Sequence, residues 1–122
     1  MDGLVGSLVQ CVHRRLASDQ ELTVDAVAKD LGYTRQYVSG RFHRVTGYLL
    51  SRFLKVKRLE KAARLLKEKN LKVTQVSRLC GFDSENYFRQ QFRIRYGMSP
   101  RQFRSQGELE GLEDESRLMV TR

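Results

Sequence analysis

Tryptophan is absent from this chain of 122 residues, proline occurs once, and cysteine and histidine occur twice each. The two cysteines, Cys11 and Cys80, are too few for a disulfide scaffold. Both lie in segments with a helical pattern, so we expect buried, reduced thiols. No apolar run approaches the length that spans a membrane, and the N-terminus lacks a signal-peptide pattern. We therefore expect a cytoplasmic protein with no membrane partner, and the scarcity of proline favours an almost wholly helical domain.

The sequence also lacks the residue sets of common enzyme and metal sites. Cys11 and His13 are separated by one residue, but no second pair follows at the spacing of zinc ligands. No serine, histidine and acid form a recognisable nucleophilic set, and no glycine-rich phosphate loop occurs. We therefore predict that the protein is not an enzyme and has no catalytic residue, metal ion or cofactor.

Charge is plentiful and unevenly distributed. The formal net charge is +9. Residues 107–122 contain five acidic and two basic residues, a net of −3, so residues 1–106 carry +12. A body this basic attracts polyanions, and on charge alone the main candidates are nucleic acid and an acidic membrane. The acidic segment lacks aromatic residues, and we interpret it as a loosely ordered tail or linker rather than a packed helix.

The first half of the chain has apolar residues at helical spacing, separated by capping signals. Residues 4–16 predict an amphipathic helix. Thr23 is a suitable N-cap for a short second helix that ends at Gly32, and Thr34 is a suitable N-cap for a third helix that ends at Gly47. The buried stripe of this third helix is predicted to contain Tyr37, Val38 and Phe42.

The second half begins with the longest periodic segment, residues 48 to about 69, in which lysine and arginine alternate with apolar positions. A helix of this length measures roughly 33 Å. Another short helix follows and is stopped by Gly81. Asp83 or Ser84 then caps a helix that runs to about residue 96. Ser99, followed by a proline at the first helical position, predicts a short closing helix.

The two halves are diverged copies of one unit. Gly32-Tyr33 recurs as Gly81-Phe82, 49 residues later. We interpret the two aromatic residues after the glycines as core residues. A short helix, a glycine turn and a longer helix with an outward polar face form the helix-turn-helix pattern. After one inserted residue the alignment continues with Tyr37 and Tyr87, Val38 and Phe88, Phe42 and Phe92, Gly47 and Gly97, and Phe53 and Phe103.

These residues resemble the DNA-binding domain of the AraC/XylS family of bacterial transcription regulators. The second unit carries most of the resemblance, in RLEKAARLL at 58–66, VTQVS at 73–77, GFDSENYFRQQF at 81–92 and YGMSPRQFR at 96–104. The resemblance covers about residues 5–105. It implies an all-α, seven-helix fold in residues 1–106, with subdomain 1 at about 4–47, a linker helix at about 48–69 and subdomain 2 at about 71–105.

The resemblance also implies sequence-specific binding to promoter or operator DNA, often as an activator that touches RNA polymerase. Recognition helices at about 35–45 and 85–96 would enter adjacent major grooves, which lie about 34 Å apart on one side of B-DNA. Gly40 departs from the family pattern, because it has no side chain to contact a base. The base-reading positions of the family fall on Gln36, Ser39 and Gly40, flanked by Arg35, and on Glu85, Asn86, Arg89 and Gln90.

The chemistry of these side chains suits base edges. Arg89 can form two hydrogen bonds to guanine, Asn86 or Gln90 can do so to adenine, and Glu85 can accept from cytosine. For each residue alone, the alternative is a solvated helix face. Because of Gly40, we expect the second unit to supply more of the base readout. Ser84 completes the predicted DNA-binding set, together with the residues expected to meet phosphate, which are Arg41, His43, Arg44 and Arg93.

Two other classes of function remain open at this point. The basic body could bind nucleic acid through charge alone, or the linker helix and tail could bind a protein partner in a larger regulator. The chain is either a short stand-alone regulator or the DNA-binding part of a longer protein. We expect a monomer for this fragment and a dimer if it belongs to a longer chain, located in the cytoplasm with the nucleoid.

Overall fold

The structure is a computed structural model that describes residues 3–68 and 70–106. These residues form seven α-helices and no strand, which confirms the predicted all-α fold over the described ranges. The acidic tail predicted at 107–122 lies outside them. No helix in the described part of the chain is long and apolar enough to cross a membrane. The helices are α1 (Gly3–Ala17), α2 (Val24–Leu31), α3 (Arg35–Thr46), α4 (Leu50–Glu68), α5 (Val73–Leu79), α6 (Glu85–Tyr96) and α7 (Pro100–Gln106).

Hydroxyl side chains set where three of the helices begin. The oxygens of Thr23, Thr34 and Ser84 each accept a hydrogen bond from the backbone N–H three residues later, at 3.0–3.1 Å. Each bond satisfies one of the backbone donors that a helix leaves unpaired at its N-terminus. The predicted N-caps of α2 and α3 are confirmed, and of the two candidates for α6 the cap is Ser84, not Asp83.

The closing helix α7 is fixed at both ends. Ser99 accepts from the backbone N–H of Gln102 at 3.1 Å, while the Gln102 side chain accepts from the backbone N–H of Ser99 at 2.9 Å. This reciprocal pair is a capping box. Near the other end, Arg104 Nε donates to the carbonyl of Leu66 at 3.0 Å, and its guanidinium also donates to the carbonyl of Leu71. Arg104 therefore ties α7 to the segment where α4 ends.

The turn glycines adopt the left-handed backbone that the sequence predicts for them. Gly32 has a φ of +80° and Gly81 a φ of +84°. The residue after each glycine donates its backbone N–H to the carbonyl of Ala28 or Ser77, at 3.0 and 3.1 Å. Ala28 and Ser77 are both buried at 3% exposure. A small residue and a glycine therefore shape both helix-turn-helix corners in the same way.

The chain divides after Lys55 into two compact units, here called unit 1 and unit 2. In unit 1, an ion pair joins α1 to α2, since Arg15 donates to both carboxylate oxygens of Asp30 at 2.7 and 2.9 Å. Cys11 donates to the same carboxylate at 3.3 Å, and hydrogen bonds from Arg15 and then Cys11 lower the pKa of Asp30. The buried core contains Val5, Leu8, Cys11, Val12, Leu22, Val24, Val27, Ala28, Val38, Phe42, Leu50, Phe53 and Leu54.

Unit 2 is built around an aromatic cluster. Phe92 lies at its centre, with ring centroids 5.7 Å from Phe88, 4.6 Å from Tyr96 and 5.3 Å from Phe103. Phe82 extends the cluster at 5.0 Å from Phe88. Burial raises the pKa of Tyr96 to about 12, so its hydroxyl stays protonated. The rest of this core comes from Leu59, Ala62, Ala63 and Leu66 on α4, from Val76 on α5, and from Cys80 directly after α5.

Aromatic burial in unit 1 differs from the prediction. Tyr33 and Tyr37 were predicted to be core residues, but they are 49% and 46% exposed. Their rings stack on each other instead, with centroids 4.9 Å apart and planes at 29°. Phe82, the counterpart of Tyr33 in unit 2, is buried as predicted. Tyrosine can place its hydroxyl in water while its ring packs on a neighbouring ring, whereas Phe82 packs against Phe88 in the core of unit 2.

The linking helix also departs from the prediction. Helix α4 runs from Leu50 to Glu68, 19 residues, which corresponds to about 28 Å rather than 33 Å. Two of its basic residues, Lys57 and Lys61, are only 7% and 6% exposed. Lys57 lies 3.3 Å from the carboxylate of Glu60. The basic residues of α4 are therefore not all available to a polyanion, because long lysine stems also cover apolar surface.

Candidate nucleic-acid interface

Helix α6 presents a polar face opposite an aromatic one. Phe88 and Phe92 are fully buried, and they hold the helix onto the core of unit 2. Residues three and four apart share one side of a helix, so the polar residues between these anchors point away from the core. The structure brings together on this side the exposed Asn86, Gln90 and Arg93 and the half-buried Arg89, with the half-buried Glu85 at the edge next to α5.

Three of these side chains form a connected network. Thr74 on α5 donates its hydroxyl to Oε1 of Glu85 at 2.6 Å. The other oxygen of Glu85, Oε2, accepts from Arg89 Nε at 2.8 Å and lies 2.6 Å from a second guanidinium nitrogen. Hydrogen bonds from Thr74 and then from Arg89 lower the pKa of Glu85, so the carboxylate stays ionised at neutral pH. Arg89 is thereby held in one orientation at the base of the polar face.

Ser84 has a structural task in addition to its predicted contact with DNA. Its oxygen accepts the backbone N–H of Tyr87 as the N-cap of α6. A capped N-terminus also presents the positive end of the helix dipole, which favours a phosphate nearby. Ser84 is exposed at this end, where its hydroxyl hydrogen is available for a further bond.

Helix α3 carries a smaller polar face. Gln36, Gly40 and His43 are exposed and Ser39 is half-buried, and they occupy the side opposite Val38 and Phe42. The helix therefore places the three base-reading positions that the resemblance implies, Gln36, Ser39 and Gly40, on one side. Because Gly40 adds no side chain, the face offers fewer hydrogen-bonding groups than that of α6.

The predicted contacts Arg35, Arg41 and Arg44 lie beside this face or away from it, whereas His43 lies on it. Arg35 lies 3.3 Å from Asp25 on α2, with both side chains well exposed. Nδ1 of His43 lies 3.3 Å from the carbonyl of Tyr48. Arg44 is exposed, but it sits to the side of the face. Arg41 is half-buried and lies about 140° around the helix from Gln36, given 3.6 residues per turn.

Sequence reasoning missed two features beside these faces. The first is the exposed stack of Tyr33 and Tyr37 at the start of α3. The recurrence of tyrosine at this position of the repeat, as Tyr37 and Tyr87, was a signal, because a tyrosine hydroxyl favours contact with water. Both residues are 46% exposed. The second is an open concavity of about 530 Å³ beside the end of α6, lined by Arg93, Gly97, Met98, Arg101, Gln102, Ser105 and Gln106.

Replacing Gly40 by alanine is expected to stabilise the protein. A methyl group at Gly40 would meet nothing within 4 Å, and the residue lies inside a regular helix. Alanine is favoured over glycine there by about 0.5–1 kcal/mol, which urea unfolding can measure. Gly32→Ala is the control and should destabilise, because its φ of +80° suits glycine. A destabilised Gly40→Ala variant would show that the fold itself requires this glycine.

Comparisons with known proteins agree with this geometry. A family model described as a helix-turn-helix domain matches residues 27–106. The F1 operon positive regulatory protein of Yersinia pestis is 28% identical over 82% of this chain, which spans 33% of that relative. Among solved structures, a transcriptional regulator from Chromobacterium violaceum with an AraC-type DNA-binding domain has a TM-score of 0.72 and 26% sequence identity. The match covers 89% of this chain and 98% of that one.

One of the similar solved structures contains DNA. The DNA-binding domain of AdpA, a global transcriptional factor, was solved with a target DNA and is 29% identical. Its TM-score is 0.69, over 81% of this chain and 90% of that chain. The seven-helix fold and the two helix-turn-helix corners therefore agree with the resemblance to the AraC/XylS family that was found in the sequence. The chain belongs to the AraC/XylS family of helix-turn-helix transcription regulators.

Proposed function

We propose that this chain binds DNA sequence-specifically and regulates transcription by placing α3 and α6 in the major groove. The observation that supports this most is the polar face of α6, where three exposed side chains and Arg89 lie opposite the buried anchors Phe88 and Phe92. A helix fits the major groove of B-DNA, and amide and guanidinium groups match the edges of adenine and guanine. The net charge of +12 in residues 1–106 supplies the nonspecific attraction.

The residues divide into base contacts and phosphate contacts. Asn86, Arg89 and Gln90 lie on the central part of the α6 face, so we assign base edges to them, with Gln36 and Ser39 as their counterparts on α3. Arg93 follows one turn after Arg89, toward the end of the helix, where the groove wall carries phosphates. The other phosphate candidates, on or beside the face of α3, are Arg35, His43 and Arg44.

Selection of bound sequences from a random duplex pool tests the proposal. The expected result is a defined site with two half-sites about one helical turn apart, read by the two recognition helices. At fixed salt, the selected duplex should be preferred over random DNA by about 10³-fold or more. Equal competition by any duplex would instead identify a nonspecific nucleic-acid binder. A site with only one half-site would show that a single helix reads bases.

We further propose that the regulator acts as an activator that contacts RNA polymerase at the promoter, in association with the nucleoid. Support comes from the family and from the similar F1 operon protein, whose name describes positive regulation. The test is transcription in vitro from a promoter that carries the selected site. Added protein should increase the transcript from this promoter and leave a promoter without the site unchanged. A decrease would identify a repressor.

A further inference from the structure

Arg89 is supported on one edge before any DNA is present. Its Nε and one terminal nitrogen lie 2.8 and 2.6 Å from Oε2 of Glu85, one helical turn earlier. The second oxygen, Oε1, accepts the hydroxyl of Thr74 at 2.6 Å, and Thr74 belongs to the neighbouring helix α5. Each carboxylate oxygen therefore has its own donor. The carboxylate bridges the two helices of the helix-turn-helix and holds the arginine from the side.

We propose that Thr74 is a positioning residue that fixes Arg89, through Glu85, in the orientation that recognises guanine. The inference rests on the proposed function. A guanidinium has five N–H groups in a planar fork. The pairing with Glu85 uses the edge that contains Nε, and the end-on edge keeps two parallel donors. Those two donors match O6 and N7 of guanine, which is the bidentate arrangement that distinguishes guanine from other bases.

Fixing the arginine in advance improves discrimination for a physical reason. A free arginine side chain samples many rotamers, so it loses conformational freedom on binding and can reach phosphates or other bases. An arginine clamped by a carboxylate has already lost that freedom. Glu85 accordingly has a supporting role, in place of the direct contact with cytosine that the sequence predicted. Thr74 in turn selects the carboxylate orientation that can reach Arg89.

Unit 1 provides an internal comparison. Asp25 and Arg35 occupy the positions of Thr74 and Glu85 in the repeat, and they also pair, at 3.3 Å. The contact between these two positions therefore occurs in both units. The residue on the recognition helix is the negative Glu85 in unit 2 and the positive Arg35 in unit 1. In unit 1 the counterpart of Arg89 is Ser39, which has no guanidinium to orient. Only unit 2 extends the link to a base-reading side chain.

The experiment compares the variants Thr74→Ala and Thr74→Ser, with Asp25→Ala as the matched control in unit 1. Affinities are measured for the duplex selected by the unaltered chain and for duplexes with one guanine replaced by adenine. Thr74→Ala should lower discrimination at the guanine read by Arg89 by about 3- to 10-fold, the range expected for losing one hydrogen bond. Thr74→Ser should restore it, and Asp25→Ala should leave it unchanged. Both Thr74 variants should bind random DNA as tightly as the unaltered chain, whereas Asp25→Ala, which removes a negative charge beside Arg35, should bind it at least as tightly.

A second measurement needs no DNA. In ¹⁵N NMR spectra of the free protein, the Nε–H of Arg89 should be protected from exchange, and Thr74→Ala should remove this protection. Unchanged protection together with unchanged guanine discrimination would overturn the positioning role. Equal losses in Thr74→Ala and Asp25→Ala would overturn it as well, since they would indicate general destabilisation. If the unaltered chain prefers no duplex, the proposed function fails, whereas the NMR result still decides whether Thr74 orders Arg89.

Discussion

Replacing Arg89 by alanine is expected to lower affinity for the selected duplex by about 5- to 150-fold, the equivalent of the 1–3 kcal/mol that a bidentate base contact contributes. The preference for guanine at one position should disappear at the same time. Affinity for random DNA should change much less, because a base contact is made only at the selected site, whereas phosphate contacts are made with every sequence. Titration of labelled duplexes at fixed salt measures both quantities.

Two further variants separate base readout from charge. Arg89→Lys keeps the positive charge but loses the planar fork, so it should lose most of the guanine preference. Arg44→Ala removes an exposed charge beside α3 and should weaken binding to all sequences, with the salt slope reduced by about 1. If Arg89→Ala weakened selected and random duplexes by the same factor, Arg89 would be a phosphate contact.

Replacing Phe92 by alanine is expected to destabilise unit 2 by about 3–5 kcal/mol. Phe92 is fully buried and contacts Phe88, Tyr96 and Phe103, so truncation leaves a cavity that its aromatic neighbours cannot close. Whole domains have only about 5–15 kcal/mol of stability. The loss should therefore appear as a large fall in the urea midpoint, followed by circular dichroism at 222 nm.

Ile94→Ala is the control for this change. Ile94 lies two residues further along the same helix but is 56% exposed, so its truncation should alter stability by no more than about 0.5 kcal/mol. Comparable midpoints for the two variants would show that the aromatic cluster does not hold unit 2 together. Phe92→Ala should also lose binding to the selected duplex. Phe88 is then the one buried residue of α6 that still anchors the helix on the core of unit 2.

The starts of α2, α3 and α6 were predictable because capping is local chemistry. Thr23, Thr34 and Ser84 satisfy backbone donors only three residues away, so a short sequence window contains all the necessary information. The same holds for Gly32 and Gly81, whose positive φ angles follow from the need to end one helix and begin another at a sharp corner.

Burial was less predictable because it depends on what packs against each residue. Tyr33 and Phe82 occupy the same position of the repeat, yet only Phe82 enters a core. Lys57 and Lys61 have the sequence character of surface residues, but their stems are covered. Periodicity shows which residues share a side of a helix. It does not show how far the neighbouring helices extend over that side.

The sequence by itself determined the helical fold, the repeated helix-turn-helix and the polar side chains that share the outer side of α6, since caps, turns and periodicity act over a few residues. Only the tertiary structure decided how those side chains work together. The bond between Thr74 and Glu85 joins residues eleven positions apart on different helices, so it depends on the crossing of α5 and α6. That crossing places Glu85, for which the sequence predicted a base contact, between the Thr74 hydroxyl and the Arg89 guanidinium.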